Sequence, residues 1–366
     1  MRADTLAQPA RNVAQQLIAR VVSQRVVDGL EPPEVGMKRL VVALAILTAG
    51  CGNGSTERAE RPFACPPGMD HGQTLTLFHE THTHGNLAGG LDRPHDVTFA
   101  RYVGLRNALR ECLPDPNASL FLGNGDDLSP DVRGVRTAGR HTIDAFNAAS
   151  IDADTFGFSE LNTFEEGPAT EASLARLREL VAASDFAWVS ANVREGSRPE
   201  EVFGADEGGQ LWIVRDVGGV RVGITGLLGR HPAPGIPAVP PGLEREMRVL
   251  DPVAAMRDVV PRMRAAGAEL VVVLSHMDHT GALRVARSVE GIDVILGTHH
   301  GPPTPRARKV GGAIVAVAGP DEMQALGQLD LTVTAGRVAV YAFTRHVVEP
   351  GDPVDRSVER ALAKYA

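Results

Sequence analysis

Apolar residues fall along this chain in short runs, separated by longer stretches with a helical period. Runs at 74–79, 119–122, 186–190, 219–226, 269–275, 292–296, 312–317, 328–334 and 337–343 have the length and branched-residue content of strands. Stretches at 98–112, 135–149, 171–183, 252–266, 281–289 and 354–365 repeat apolar positions every three or four residues and predict amphipathic helices. Strand and helix signals alternate, which predicts a layered α/β domain. The runs over 312–343 have no helix between them and predict hairpins within a mixed sheet. A Pro- and Gly-rich stretch, 229–243, predicts a long loop. No internal repeat is visible.

Composition narrows the picture. Of 366 residues, 43% are hydrophobic and 22% charged, enough apolar surface for a buried core, which excludes a disordered or fibrous chain. The net charge of −8, without a basic run, argues against nucleic acid as a partner. Three cysteines are too few for a disulfide scaffold and lack zinc-knuckle spacing.

Met37-Lys38-Arg39 is followed by an apolar run from Leu40 to Leu47 and then Thr48-Ala49-Gly50-Cys51, the parts of a secretory signal. The run is too short to span a bilayer. Ala49-Gly50-Cys51 resembles a bacterial lipobox, with Cys51 the lipidation site; Thr48 departs from the Leu, Val or Ile usual there. A signal starting at Met37 makes 1–36 a non-native upstream extension, 37–50 the signal peptide and 51–72 a tether. The expected location is therefore outside the cytoplasm, as a periplasmic or outer-membrane lipoprotein held to the membrane by its lipid. Export also permits a Cys65–Cys112 disulfide.

Seven of twelve histidines, His79, His82, His84, His276, His279, His299 and His300, fall in three short segments. Each segment directly follows a predicted strand, as does Gly123-Asn124-Gly125-Asp126-Asp127. Open α/β folds place their sites at such strand ends. Imidazoles and carboxylates converging from four strand ends point to a metal centre. In an extended segment His82 and His84 would face the same side and serve one ion.

The order of these motifs resembles the calcineurin-like metallophosphoesterase superfamily, in particular the catalytic domain of bacterial 5′-nucleotidases. The family opening Leu-His-Thr-Asn-Asp-x-His-Gly corresponds to the stretch Leu77-Phe78-His79-Glu80-Thr81-His82-Thr83-His84-Gly85, and its Gly-Asp to Gly125-Asp126. Its Gly-Asn-His-Glu-Phe-Asp falls on Gly157-Phe158-Ser159-Glu160-Leu161-Asn162. Its Leu-Ser-His falls on Leu274-Ser275-His276, and its Gly-His-x-His on Thr298-His299-His300-Gly301. The resemblance implies a four-layer α/β/β/α sandwich with two mixed sheets over 73–350, followed by a C-terminal helix at 351–366. It implies two divalent metal ions (zinc, manganese or iron) and phosphate-ester hydrolysis by a bridging hydroxide. The substrate would be a small phosphorylated molecule such as a nucleotide.

Carried over position by position, the expected metal ligands are His84, Asp126, His276 and His299, with His82 in place of an Asp and His300 able to shift into the last ligand position. One ion would take His82, His84 and Asp126; the other Asp126, His276 and His299. Glu160, Asp127, Glu80 or His279 could complete either set. Phe158 replaces a metal-binding Asn, and Ser159 replaces the His that assists the leaving group. Ser159, Glu160 and Asp126 thus form the expected catalytic corner, with general-acid help missing. A metal- or ligand-binding lipoprotein on the same fold is the alternative. His-x-His after a first strand also opens amidohydrolase-like barrels, but the helix-poor C-terminal third does not supply eight βα units.

Overall fold

Residue alternation along the central strands sets the layers. In β9 (Leu270–His276), Leu270, Val272 and Leu274 face one apolar cluster while Val271 and Val273 face another. The same split occurs in β10 (Val294–Leu296), where Ile295 points opposite to its neighbours. In β2 (Ser119–Leu122), Leu120 and Leu122 join the first cluster, and Phe121 a third. Strands apolar on both faces must be covered on both, so the sheets lie inside and helices outside.

The computed structural model describes residues 63–365, except 68, 70–71, 81, 89–97, 129–135, 163–169, 231–237, 240, 298, 300–305, 319–322 and 324. The proposed extension, signal peptide and Cys51, most of the tether, His300 and part of the 229–243 loop lie outside the described residues. No described helix is long and apolar enough to cross a membrane.

The first sheet combines β1 (Leu75–His79), β2, β3 (Ala153–Asp154), β4 (Ala187–Trp188), β13 (Ala325–Thr334) and β14 (Arg337–Val347) in the order β14-β13-β1-β2-β3-β4. Strands β1 to β4 are parallel, and β13 is antiparallel to β1. The second has the order β11-β12-β10-β9-β7-β6. It contains β6 (Ile213–Val217), β7 (Val220–Leu228), β11 (Arg308–Val310) and β12 (Ala313–Ala316) beside β9 and β10. A separate ribbon pairs β5 (Val193–Glu195) with β8 (Met247–Val249).

Leu75, Leu77, Leu120 and Leu122 of the first sheet meet Val222, Ile224, Val272 and Leu274 of the second in the middle of the molecule. Outside the first sheet lie α1 (Phe99–Glu111), α2 (Arg140–Ala149) and α4 (Glu171–Ala182), preceded by the short α3 (Phe158–Asn162). Outside the second lie α5 (Pro252–Ala265) and α6 (His279–Ser288). This is the expected α/β/β/α sandwich with two mixed sheets. The closing α7 (Arg356–Ala363) packs on the first helical layer: Asn107 Nδ2 donates to Asp355, its N-cap, and Tyr365 hydroxyl to Asp144.

The helix-free strands over 312–343 do form hairpins in mixed sheets, but they are shared between the two sheets. Strand β12 lies parallel to β10 in the second sheet, and the chain then crosses to the first, where β13 and β14 pair. Cys65 and Cys112 are joined in a disulfide, with Cα atoms 5.7 Å apart.

Candidate metal centre

Asp126 is the hub. It follows β2 in a left-handed conformation, φ +64°, which costs a non-glycine residue about 1–3 kcal/mol and persists only where the surroundings impose it. The surroundings are explicit. Glu160, fully buried in α3, accepts from the backbone N–H of Asp126 (2.8 Å), Asp127 (2.7 Å), Leu128 (3.1 Å) and Gly157 (2.7 Å). Gly157 is required for this approach, because a Cβ there would sit 2.3 Å from Asp126 N. Asp126 Oδ1 accepts from the backbone N–H of Ser159.

This leaves Asp126 Oδ2 facing three imidazoles. His299 Nε2 lies 3.0 Å away, His276 Nε2 3.3 Å and His84 Nε2 3.6 Å. His276 ends β9 and its Nδ1 lies 2.9 Å from Asn124 carbonyl oxygen. A carbonyl only accepts, so Nδ1 carries a proton and donates to it, and Nε2 is the ring atom turned toward Asp126. His299 N donates to Met277 carbonyl at 2.8 Å, which ties the loop after β10 to the one after β9. His82, fully buried, completes the cluster, its ring centroid 4.8 Å from His84 and 5.3 Å from His299.

Ligand atoms of Asp126, His276 and His299 lie within 4.8 Å of one another, as expected for one ion; those of His82, His84 and His299 do the same. The second group contains His299 where Asp126 was expected. His82 and His84 come together, and His84 enters the turn that follows at φ +52°. A buried set of imidazoles around one carboxylate is a donor set that fits zinc, manganese or iron.

Electrostatics agrees. Burial opposes ionisation of Asp126, but His276 and hydrogen bonds from His276, His299 and His84 hold its carboxyl well below the usual range. Burial alone would lower His276, yet Asp126 lifts it above the ordinary histidine value. Burial pushes His299 down to about 4, so near neutral pH it is an uncharged donor.

The remaining predicted residues divide. Phe158 sits edge-on to both His276 and His299, centroids 5.2 Å away, where the family carries Asn. Ser159 Oγ donates to Glu160 Oε1 at 3.2 Å. Glu160 joins neither histidine group; its oxygens accept from four backbone N–H groups and from Ser159. His279 opens α6 outside both groups, and Asp278 is that helix's N-cap. Glu80 and Asp127 group with Asp154, a residue that sequence reasoning missed because a single Asp in a two-residue strand carries no signal.

No protein-family model matches the chain. The trifunctional nucleotide phosphoesterase YfkN of Bacillus subtilis is 26% identical over 245 residues, 62% of this chain and 16% of that protein. The snake venom 5′-nucleotidase of Crotalus adamanteus is 26% identical over 194 residues, 52% of this chain and 30% of that protein. The chain therefore spans less than a third of the length of these relatives. Among solved structures, the calcineurin-like phosphoesterase YfkN from Bacillus subtilis superposes with a TM-score of 0.62 at 21% identity, covering 80% of this chain and 96% of that one. The Thermus thermophilus sulfate thiohydrolase SoxB superposes with a TM-score of 0.65 at 18% identity, covering 83% and 61%. The fold is that of the calcineurin-like phosphoesterases, and the sequence resembles 5′-nucleotidase-like enzymes.

Proposed function

We propose that this chain is a metal-dependent phosphoesterase, related to 5′-nucleotidases, whose catalytic corner has degenerated. The observation that carries the reading is Asp126 Oδ2, set by backbone contacts beneath His84, His276 and His299. His82, His84, Asp126, His276 and His299 would hold two divalent ions, with His300 in reserve. Such ions supply Lewis acidity toward a phosphoryl oxygen and an acidified water. Asp126 and the imidazoles fix that charge at strand ends, and Glu160 keeps the Asp126 turn in its strained form.

Degeneration follows from two side chains. Phe158 presents an apolar edge where a ligand amide would stand, and Ser159 offers no imidazole to protonate a departing oxygen. General-acid help is worth roughly 10²–10⁴-fold, so its loss falls hardest on poor leaving groups. We therefore expect slow hydrolysis of aryl phosphates and slower hydrolysis of alkyl phosphates such as nucleotides. The relatives' names include nucleotide phosphoesterase and 5′-nucleotidase, which supports a small phosphorylated substrate.

Metal analysis of purified protein and an aryl-phosphate assay with zinc or manganese test this. Metal-dependent turnover that rises in the Phe158→Asn/Ser159→His double variant, most on alkyl substrates, is the expected result. Bound metal without turnover in either protein would favour the binding-protein reading, which Phe158 against the histidines also suits. Absence of bound metal would overturn both.

Export with lipid attachment at Cys51 belongs to the same reading. The Cys65–Cys112 disulfide supports an oxidising compartment. Mass spectrometry of the native N-terminus should find an acylated Cys51; an unprocessed Met1 would contradict it.

A further inference from the structure

We propose that Glu80, Asp127 and Asp154 form a second cation site, distinct from the histidine centre, that takes a hard divalent ion such as Ca²⁺, Mg²⁺ or Mn²⁺. Glu80 directly follows β1, Asp127 lies in the turn after β2, and Asp154 closes β3. Because β1, β2 and β3 are adjacent and parallel, their ends deliver three carboxylates to one place. One oxygen from each lies within 4.8 Å of the others.

Each carboxylate is held in the same way. Glu80 Oε1 accepts from Asn124 N–H (2.8 Å), and Asp127 Oδ1 from Thr83 N–H (2.7 Å). Asp154 Oδ1 accepts from Gly125 N–H (3.0 Å) and Thr155 N–H (2.7 Å). The second oxygens, Glu80 Oε2, Asp127 Oδ2 and Asp154 Oδ2, are buried without a hydrogen-bond partner. All three residues are fully buried. Burying a carboxylate is costly unless it is paired or coordinated, and among the described residues no arginine or lysine pairs with any of these. Glu160, a further carboxylate whose charge is felt by all three, is already committed to backbone donors.

An all-oxygen set selects hard cations, while the imidazole cluster selects zinc or another transition metal. The two centres are therefore separable by choice of ion. Glu80 and Asp127 were candidates to complete the histidine centre, but they group with Asp154 instead.

The test uses the full chain, stripped with a chelator and reloaded with Zn²⁺ to occupy the histidine centre. Mn²⁺ is then titrated and free Mn²⁺ read by electron paramagnetic resonance. Thermal midpoints and elemental zinc content are recorded alongside. The expected result is one further Mn²⁺ per chain, displaced by Ca²⁺ while zinc stays bound, with a raised midpoint. Asp154→Asn and Glu80→Gln, nearly isosteric, should each weaken this binding at least ten-fold and leave zinc content unchanged.

Three outcomes would overturn the site: no Ca²⁺-displaceable Mn²⁺ in the unaltered protein, variants that bind it as tightly, or a cation-free midpoint that rises in Asp154→Asn without Mn²⁺ bound at any stage. The last would mean that the carboxylates share protons. Zinc failing to bind while the Ca²⁺-displaceable equivalent persists would count against the phosphoesterase reading and leave this one standing.

Discussion

Glu160 does its work through other residues. Oε1 accepts from Asp127 and Leu128, and Oε2 from Asp126 and Gly157, so both oxygens are needed. Glu160→Gln keeps the shape but turns an NH₂ group toward two backbone donors. Leaving two buried donors unsatisfied should cost about 3 kcal/mol. Relaxation of Asp126 should lower metal affinity by roughly 10–100-fold. Chemical denaturation and metal titration of the same variant check both, and unchanged metal affinity would remove its positioning role. A different kind of residue effect sits at His346, opposite Leu326 near the end of β14. Burial lowers its pKa from 6.5 to about 4. Between these values the unfolded chain binds the extra proton and the folded chain does not, so stability is full above pH 6.5 and falls as pH drops toward 4. In chelator-treated protein, the loss of denaturation midpoint from pH 7 to pH 5 should be smaller in His346→Gln than in the parent. Equal losses would mean that the folded chain does not hold His346 neutral.

At the level of elements, the two sheets approach closely at Gly226 in β7. A Cβ there would lie 1.9 Å from Thr155 Oγ1 and 2.5 Å from Val189 carbonyl oxygen, both belonging to the first sheet's strand ends. The carbonyl cannot rotate away, so Gly226→Ala should destabilise by about 3 kcal/mol through overpacking. Denaturant titration should show a lower midpoint with an unchanged slope; a neutral result would mean that the sheets can part without cost. The strands that carry this packing were legible in the sequence because β1, β2, β9 and β10 are apolar on both faces. Strands β3, β5, β8 and β11 were not, because two or three residues cannot show a period. Strand β6 escaped for another reason, its exposed centre Arg215-Asp216 breaking the apolar run at a sheet edge. The site follows the same rule. Asp126, His276 and His299 could be read because each lies at the end of a strand, and the structure places them together. The backbone role of Glu160 and the grouping of Glu80 with Asp154 depend on side-chain direction at strand ends, which spacing does not encode.

Across the whole molecule, the Cys65–Cys112 link ties the segment before β1 to the end of α1. It closes a loop with a sequence separation of 47, which contains β1, His82 and His84. In the chain-entropy account, a loop of that size restricts the unfolded ensemble enough to stabilise the fold by about 4 kcal/mol. Part of the candidate metal centre therefore lies inside the constrained loop, and Asp126, His276 and His299 lie outside it. Reduction should lower the unfolding free energy of the metal-free chain by that amount. Bound metal adds to this stabilisation without replacing it, because the disulfide restricts the unfolded chain whereas a ligand specific to the folded state stabilises that state by mass action. The expected outcome is a similar reductant effect on apoprotein and on zinc-loaded protein, the latter from a higher starting stability, with Cys65→Ser/Cys112→Ser behaving like the reduced chain. Zinc that leaves the unfolding free energy of both chains unchanged would show that the histidines of the loop do not share ions with the rest of the site, and the dinuclear arrangement proposed for it would fall.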